Sequence, residues 1–210
     1  MNEERDSELA YRPFELRRRS GESSDPAEAI FRWWTRLAGG ESHDGDSVAR
    51  RLPAGVRATL RRVATPDDAL LTEGFRSLWF ELPPARRRTA DMLAWACVAV
   101  ALSEVRGHDA SRSFAAAMGA ESERGSGNPR VSELRFNQLL RSNDLGELLR
   151  RARRSIHLLG DQVHVVSLAD DLLHWHREKG GNLSPRPDRR LAVRWANDYF
   201  SALARYQPLG

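Results

Sequence analysis

Apolar residues recur along this chain at spacings of three and four, the rhythm of helices with one buried face, and seldom alternate as in a half-buried strand. Asp25-Pro26-Ala27-Glu28 has the form of a capped helix start with proline in the first turn. The stretch "AEAIFRWWTRLAGG" that follows lines up Ile30, Trp33, Trp34 and Leu37 before two glycines end it. In "AGVRATLRRVA" the inward stripe is Val56, Leu60 and Val63. Thr65-Pro66-Asp67-Asp68 opens another helix, with acids in its first turn, that runs to about Pro83-Pro84. Thr89 to about Arg106 is the most apolar segment and is predicted to be central. Ser111 opens a short helix, "RSFAAAMG", and "ESERGSGNPRV" (121–131) is a loop by composition. "SELRFNQLLRS", "DLGELLRRARRSIHLLG", "SLADDLLHWHRE" and "DRRLAVRWANDYFSALARY" follow, the last after the linker "KGGNLSPRP". The one alternating stretch, "VHVVSL" (163–168), is short and runs into a helical pattern. The expectation is an all-α fold, a compact bundle of about eight or nine helices. The loop at 121–131 suggests two lobes, 25–120 and 131–206, behind a polar arm, 1–24, that is a candidate for partial disorder.

At 210 residues the chain can bury a sizeable core. Its longest apolar run, "MLAWACVAVAL" (92–102), is too short to cross a bilayer, and the N-terminus lacks the apolar stretch of a signal peptide. Cys97 is the only cysteine, so neither a disulfide framework nor a cysteine-rich metal site is available. These features fit a cytoplasmic protein with no membrane partner. The net charge is only +4, yet Lys179 is the sole lysine; every other strong cation is arginine. Arginine presents a planar, permanently charged, multi-donor head suited to phosphate.

The arginines cluster. On a wheel at about 100° per residue, Leu145, Leu148, Leu149, Ala152, Ile156 and Leu159 share one face. Arg150, Arg153, Arg154 and His157 share the other, with Arg151 on a flank and few acids nearby. "AGVRATLRRVA" repeats the arrangement with Arg57, Arg61 and Arg62, and "NPRVSELRFNQLLRS" adds Arg130, Arg135 and Arg141. Any one such face is ordinarily a solvated surface; their recurrence points to a basic track for a phosphate backbone, salt-sensitive and largely indifferent to base sequence. Arg17, Arg18 and Arg19 form a further patch on the arm.

Catalytic signals are weaker. His108-Asp109 matches the centre of an HD-type metal-dependent phosphohydrolase, with His43 as upstream ligand and Asp170 or Asp171 as distal acid. His43 however lies in a Gly/Asp/Ser loop, and Asp-Ala-Ser after Gly107 more naturally caps a helix. Asp170-Asp171 reads as a solvated turn or an arginine partner more readily than as a metal dyad. His174 and His176 are two apart and point to different sides of a helix. Neither a phosphate-binding glycine loop nor a nucleophile elbow occurs. The six tryptophans fall at stripe positions and are expected to anchor the core. No catalytic residue, metal or cofactor is expected.

The order "RFNQLLRS … ELLRRARRSIHLLG … VHVVSLADDLLHW … RLAVRWANDYF", preceded by "WWTRLAGG … AGVRATLRRVA", resembles the small subunit of the type I-E CRISPR Cascade complex, the CasB family. The blocks cover most of residues 26–201. The resemblance implies one family domain over 25–206: a helical, non-catalytic subunit present as a pair among the other Cascade subunits. It implies contact with crRNA and the target-strand region, and stabilisation of the displaced DNA strand of the R-loop through basic residues. Carried over by motif, those residues are Arg61 and Arg62, Arg135 and Arg141, and Arg150, Arg151, Arg153 and Arg154. The linker before the last helix is longer than is usual in the family, and the first 25 residues have no counterpart in it.

Overall fold

The computed structural model describes residues 11–39, 42–44, 47–49 and 51–207. Among them are ten α-helices: α1 (Pro26–Leu37), α2 (Ala54–Arg62), α3 (Pro66–Ala69), α4 (Glu73–Glu81), α5 (Met92–Glu104), α6 (Phe114–Gly119), α7 (Glu133–Leu140), α8 (Leu145–Leu158), α9 (Val165–Lys179) and α10 (Leu191–Leu203). The all-α expectation holds, with one helix more because the segment after Thr65 is split. Thr72 accepts a hydrogen bond from the Phe75 amide (3.1 Å) and so caps a fresh helix, α4, rather than continuing α3. The α1 start is as read: Asp25 accepts from the Ala27 amide at 2.8 Å.

Two departures concern strands. Ser42–Asp44 (β1) and Ser47–Ala49 (β2) pair antiparallel in and just after the segment around His43 read as a Gly/Asp/Ser loop. Of "VHVVSL", only Val163 belongs to a strand: Gly107–His108 (β3) pairs in parallel with Gln162–Val163 (β4), and α9 begins at Val165. His164 decides the change, its side chain accepting from the Ser167 amide (3.2 Å) as an N-cap.

α5 is central. Every residue from Ala94 to Glu104 is buried, and α2, α3, α4, α8 and α9 pack around it. Burial on all sides is what an apolar helix without a polar face demands. The predicted stripes face inward: Ile30, Trp33, Trp34 and Leu37 in α1, Phe136 and Leu139 in α7, and Leu148, Leu149, Ala152 and Ile156 in α8 are all buried. The apolar core runs without a break from Leu16 to Tyr199. α10 lies along α6 so closely that a β-carbon on Gly119 would collide with the Tyr199 carbonyl, and only glycine fits there.

Part of the polar arm is built into the bundle. Asp170, wholly buried on α9, accepts from the Tyr11 hydroxyl (2.8 Å) and from the amides of Phe14 (2.8 Å), Glu15 (2.7 Å) and Leu16 (2.7 Å). Phe14 stacks on His174 with ring centres 4.5 Å apart. Arg86, buried, donates to the carbonyls of Glu15 (2.6 Å) and Arg17 (2.7 Å) and pairs with Glu22. The carboxylate pair read as a solvated turn is therefore interior.

Asp171 is buried as well, and burial, reinforced by the charge of Asp170, pushes its carboxyl up to about 8. Between the unfolded value near 4 and about 8 the native state holds a proton that the unfolded chain has lost, so this residue makes stability fall as pH rises through that window. Asp171→Asn mimics the protonated acid. The variant should gain stability relative to the parent by up to ~1.4 kcal/mol per pH unit across the window, with no further gain above it. Urea unfolding at a series of pH values measures that difference; a constant offset would mean that Asp171 is ionised in the native state.

Candidate nucleic-acid interface

α8 carries the densest arginine run. Asp144 caps it, accepting from the Glu147 amide at 2.7 Å, and its leucine face seats it on α5. Its cations divide into two kinds. Arg151 is tied down: its Nη2 pairs with Glu147 Oε1 at 2.6 Å, one turn back, and its Nη1 donates to the Gln138 carbonyl and to Ser142 Oγ (3.4 Å). Arg153 turns inward, donating to Glu104 Oε1 (2.9 Å) and to the carbonyls of Val63 (2.8 Å) and Arg61 (2.7 Å). Arg150 and Arg154 are exposed and make no ion pair or hydrogen bond to a described side chain. Together with Ala64, Thr65, Asn143 and Gly146 and the two acids Asp144 and Glu147, which respectively cap α8 and pair with Arg151, they line an open groove of about 890 Å³ between α8 and the α2–α3 connection.

The pairing of Arg151 and Arg153 corrects the expectation of an uncompensated arginine face. The acid for Arg151 is Glu147, four residues earlier on α8, and the acid for Arg153 comes from another helix. Glu104, 4% exposed at the end of α5, receives Arg61 Nε (2.8 Å) from α2 and Arg153 Nε (2.9 Å) from α8. His157 Nε2 lies 3.7 Å away. Arg57 completes the cluster by donating to the carbonyls of Ser103 (2.9 Å) and Val105 (2.8 Å). Three guanidinium groups thus gather where the carbonyls and negative dipole end of α5 need donors. Burial lowers the Arg57 pKa, and the neighbouring Arg61 and Arg106 lower it further. A glutamate ending an otherwise apolar helix was the sequence signal for this cluster: such a carboxylate needs a cation once the helix is buried.

Of the remaining candidates, Arg62, Arg135 and Arg141 are exposed and Arg130 is half-buried. Arg130 stands near Asp109. Burial pushes the Asp109 carboxyl up, but hydrogen bonds from Ser111 and the charges of Arg112 and Arg130 outweigh it and hold the pKa below its ordinary value. The HD pair is otherwise occupied. Asp109 accepts from the Ser111 amide (2.9 Å), and His108 Nδ1 accepts from the Val165 amide (3.2 Å). Its ring stands edge-on to Phe31 and His164. Burial lowers the His108 pKa and takes His164 down to about 4. Asp170 is saturated by the arm, and the side chain of His43 lies outside the described residues. Among the described residues no three His, Cys, Asp or Glu side chains group closely enough to hold a metal. His174 is buried, and five tryptophans are buried with Trp79 half-buried.

The model of the family described as CRISPR-associated protein Cse2 matches residues 56–200. The chain belongs to the Cse2 family. As a Cse2 protein it is a small subunit of a CRISPR Cascade complex. The crystal structure of CasB from Thermus thermophilus superimposes with a TM-score of 0.53 at 24% identity, covering 84% of this chain and 99% of that one. A second crystal structure from Thermus thermophilus, of a CRISPR-associated protein of the Cse2 family, matches with the same values. At that identity the likeness speaks for the shared fold. No curated protein matches. No described helix of this Cse2 chain is long and apolar enough to cross a membrane. The family-matched segment contains all ten candidate arginines, whereas the arm segment from Tyr11 to Glu22 precedes it.

Proposed function

We propose that this Cascade small subunit grips nucleic-acid backbone through arginine–phosphate contacts, touching crRNA and the target region and steadying the displaced DNA strand of the R-loop. The observation that carries the reading is the pair Arg150 and Arg154. They are exposed and adjacent on one helix, free of internal partners among the described residues, and border an open groove. Arg62, Arg135 and Arg141 are exposed cations of the same kind and extend the candidate set, with Arg130 at its edge. Arg57, Arg61, Arg151 and Arg153 have internal partners and serve the reading as its scaffold. The subunit acts in the cytoplasm, beside a second copy of itself and the other Cascade subunits, and does no bond-breaking chemistry. Because exchanging a DNA duplex for an RNA–DNA hybrid is nearly balanced, a few phosphate contacts to the extruded strand shift it usefully.

The test is the salt dependence of binding. Each phosphate neutralised on a single strand contributes about 0.7 to the slope of log K against log salt. Arg150→Glu with Arg154→Glu should therefore lower the slope for a single-stranded oligonucleotide by about 1.4 and weaken binding at low salt, with helicity unchanged. A slope equal to that of the parent would remove these two residues from the interface.

A further inference from the structure

The exposed stripe of α8 does not end at its arginines. Arg150, Arg154 and Leu158 follow at intervals of four, each about 6 Å further along the helix and on the same side of it. Leu158 is 42% exposed, while Ile156 and Leu159 close to it in sequence are buried. Its side chain lines the arginine groove and also an open cavity of about 550 Å³ beyond the end of α8, so the two meet at this residue. The second cavity is further lined by Arg130, Gln162, Ser122, His108 and Asp109. The Arg130 guanidinium makes no ion pair or hydrogen bond to a described residue. The Gln162 amide is likewise unengaged and exposed, and it lies across Gly107, where a β-carbon would stand 2.5 Å from its Oε1. Asp109, the one acid among these lining residues, is already engaged by Ser111 and Arg112.

We infer that a single strand held at Arg150 and Arg154 continues over the end of α8, lays an unstacked base on Leu158 beside the Gln162 amide, and brings a following phosphate to Arg130. The inference rests on the proposed phosphate track and adds to it the part of the surface that distinguishes a single strand from a duplex. Charge at Arg150 and Arg154, open apolar surface at Leu158 and charge again at Arg130 match the order in which a strand presents phosphates and bases. A base covers the exposed face of Leu158, and its polar edge suits an amide that both donates and accepts. Every base has such a face, so contact with Leu158 is tolerant of sequence. In a duplex the base faces are stacked on one another, and phosphates and base edges are what reach the surface. A duplex can therefore meet the arginines but has no face to offer Leu158.

The experiment measures binding of the full chain, by fluorescence anisotropy, to three DNAs of one length: a single strand, the same strand with abasic residues, and the duplex. The abasic strand keeps every phosphate and lacks every base. The parent should bind the base-bearing strand about fivefold more tightly than the abasic one. Leu158→Ala, at an exposed helix end, should weaken the base-bearing strand roughly threefold and leave the abasic strand and the duplex as they were. Its salt slope should equal the parent's, because no phosphate contact is lost. Gln162→Ala should act in the same direction, by about twofold. Arg130→Gln should lower the slope by about 0.7 on both single strands while keeping their ratio. Equal losses on base-bearing and abasic strands in Leu158→Ala, no loss on either, or a parental slope in Arg130→Gln would each overturn the inference. The Arg150 and Arg154 reversal reads the groove separately: a lowered slope there beside an inert Leu158→Ala retires this inference and leaves the phosphate track standing.

Discussion

Glu104→Ala is expected to cost about 3–5 kcal/mol, the range found when one partner of a buried ion pair is removed. Glu104 is 4% exposed and is the common counter-charge of Arg61 and Arg153, with His157 close by. Without it, Arg153 is held at 18% side-chain exposure by three carbonyls and no opposing charge, beside a second guanidinium. Arg61 is 38% exposed and can turn outward, so Arg61→Ala should cost less than about 1 kcal/mol. The contrast between the two substitutions is the informative quantity. Urea unfolding with an unchanged denaturant slope measures it; near-equal small losses would show that the cluster is solvated and contributes little. Because neither residue is among the free cations, the salt slope for single-stranded DNA should stay that of the parent in a folded Arg61→Ala protein.

Asp170→Ala should cost a similar amount, about 3–5 kcal/mol, by a different route. One carboxylate, 0% exposed, accepts from a hydroxyl and three consecutive amides of the arm and has Arg194 3.9 Å away. Alanine leaves those donors facing apolar surface, and the arm relieves this by leaving. Release exposes Leu16, unstacks Phe14 from His174 and frees Arg86 from two main-chain carbonyls. The loss should therefore appear twice, as lower stability and as new tryptic cleavage at Arg17, Arg18 and Arg19. Asp170→Asn should be nearly as damaging, since its NH2 would oppose a main-chain N–H. Tyr11→Phe removes a single bond and should cost about 1 kcal/mol. A full-cost Asp170→Ala without new cleavage would mean that the arm is held elsewhere.

The two substitutions mark where sequence reasoning stops. The helices, their inward faces and the central place of α5 were legible because hydrophobic periodicity is local, and each stripe needs only its own segment to be recognised. Helix starts were legible for the same reason at Asp25 and Thr65, while the break at Thr72 was overridden by the apolar residues on either side of it. The family blocks were legible as ordered short patterns. What could not be read was the fate of individual charges. Arg150 and Arg153 look alike on a wheel, yet one faces solvent and the other reaches Glu104, forty-nine positions away. Asp170 looked like a turn acid and is the anchor of a segment more than 150 residues distant.

The order of residues alone specifies the all-α class, the buried faces of the helices, the likeness to the Cse2 family and the list of arginines from which an interface must be drawn. Folding in three dimensions then assigns which of those arginines are spent inside the protein and which remain for a partner, and it makes part of the polar arm belong to the core. Burial follows from a local pattern, whereas the partner of a charge is chosen by geometry. A guanidinium pairs with whichever carboxylate or carbonyl the packing brings within about 3 Å, and separation along the chain does not enter that choice.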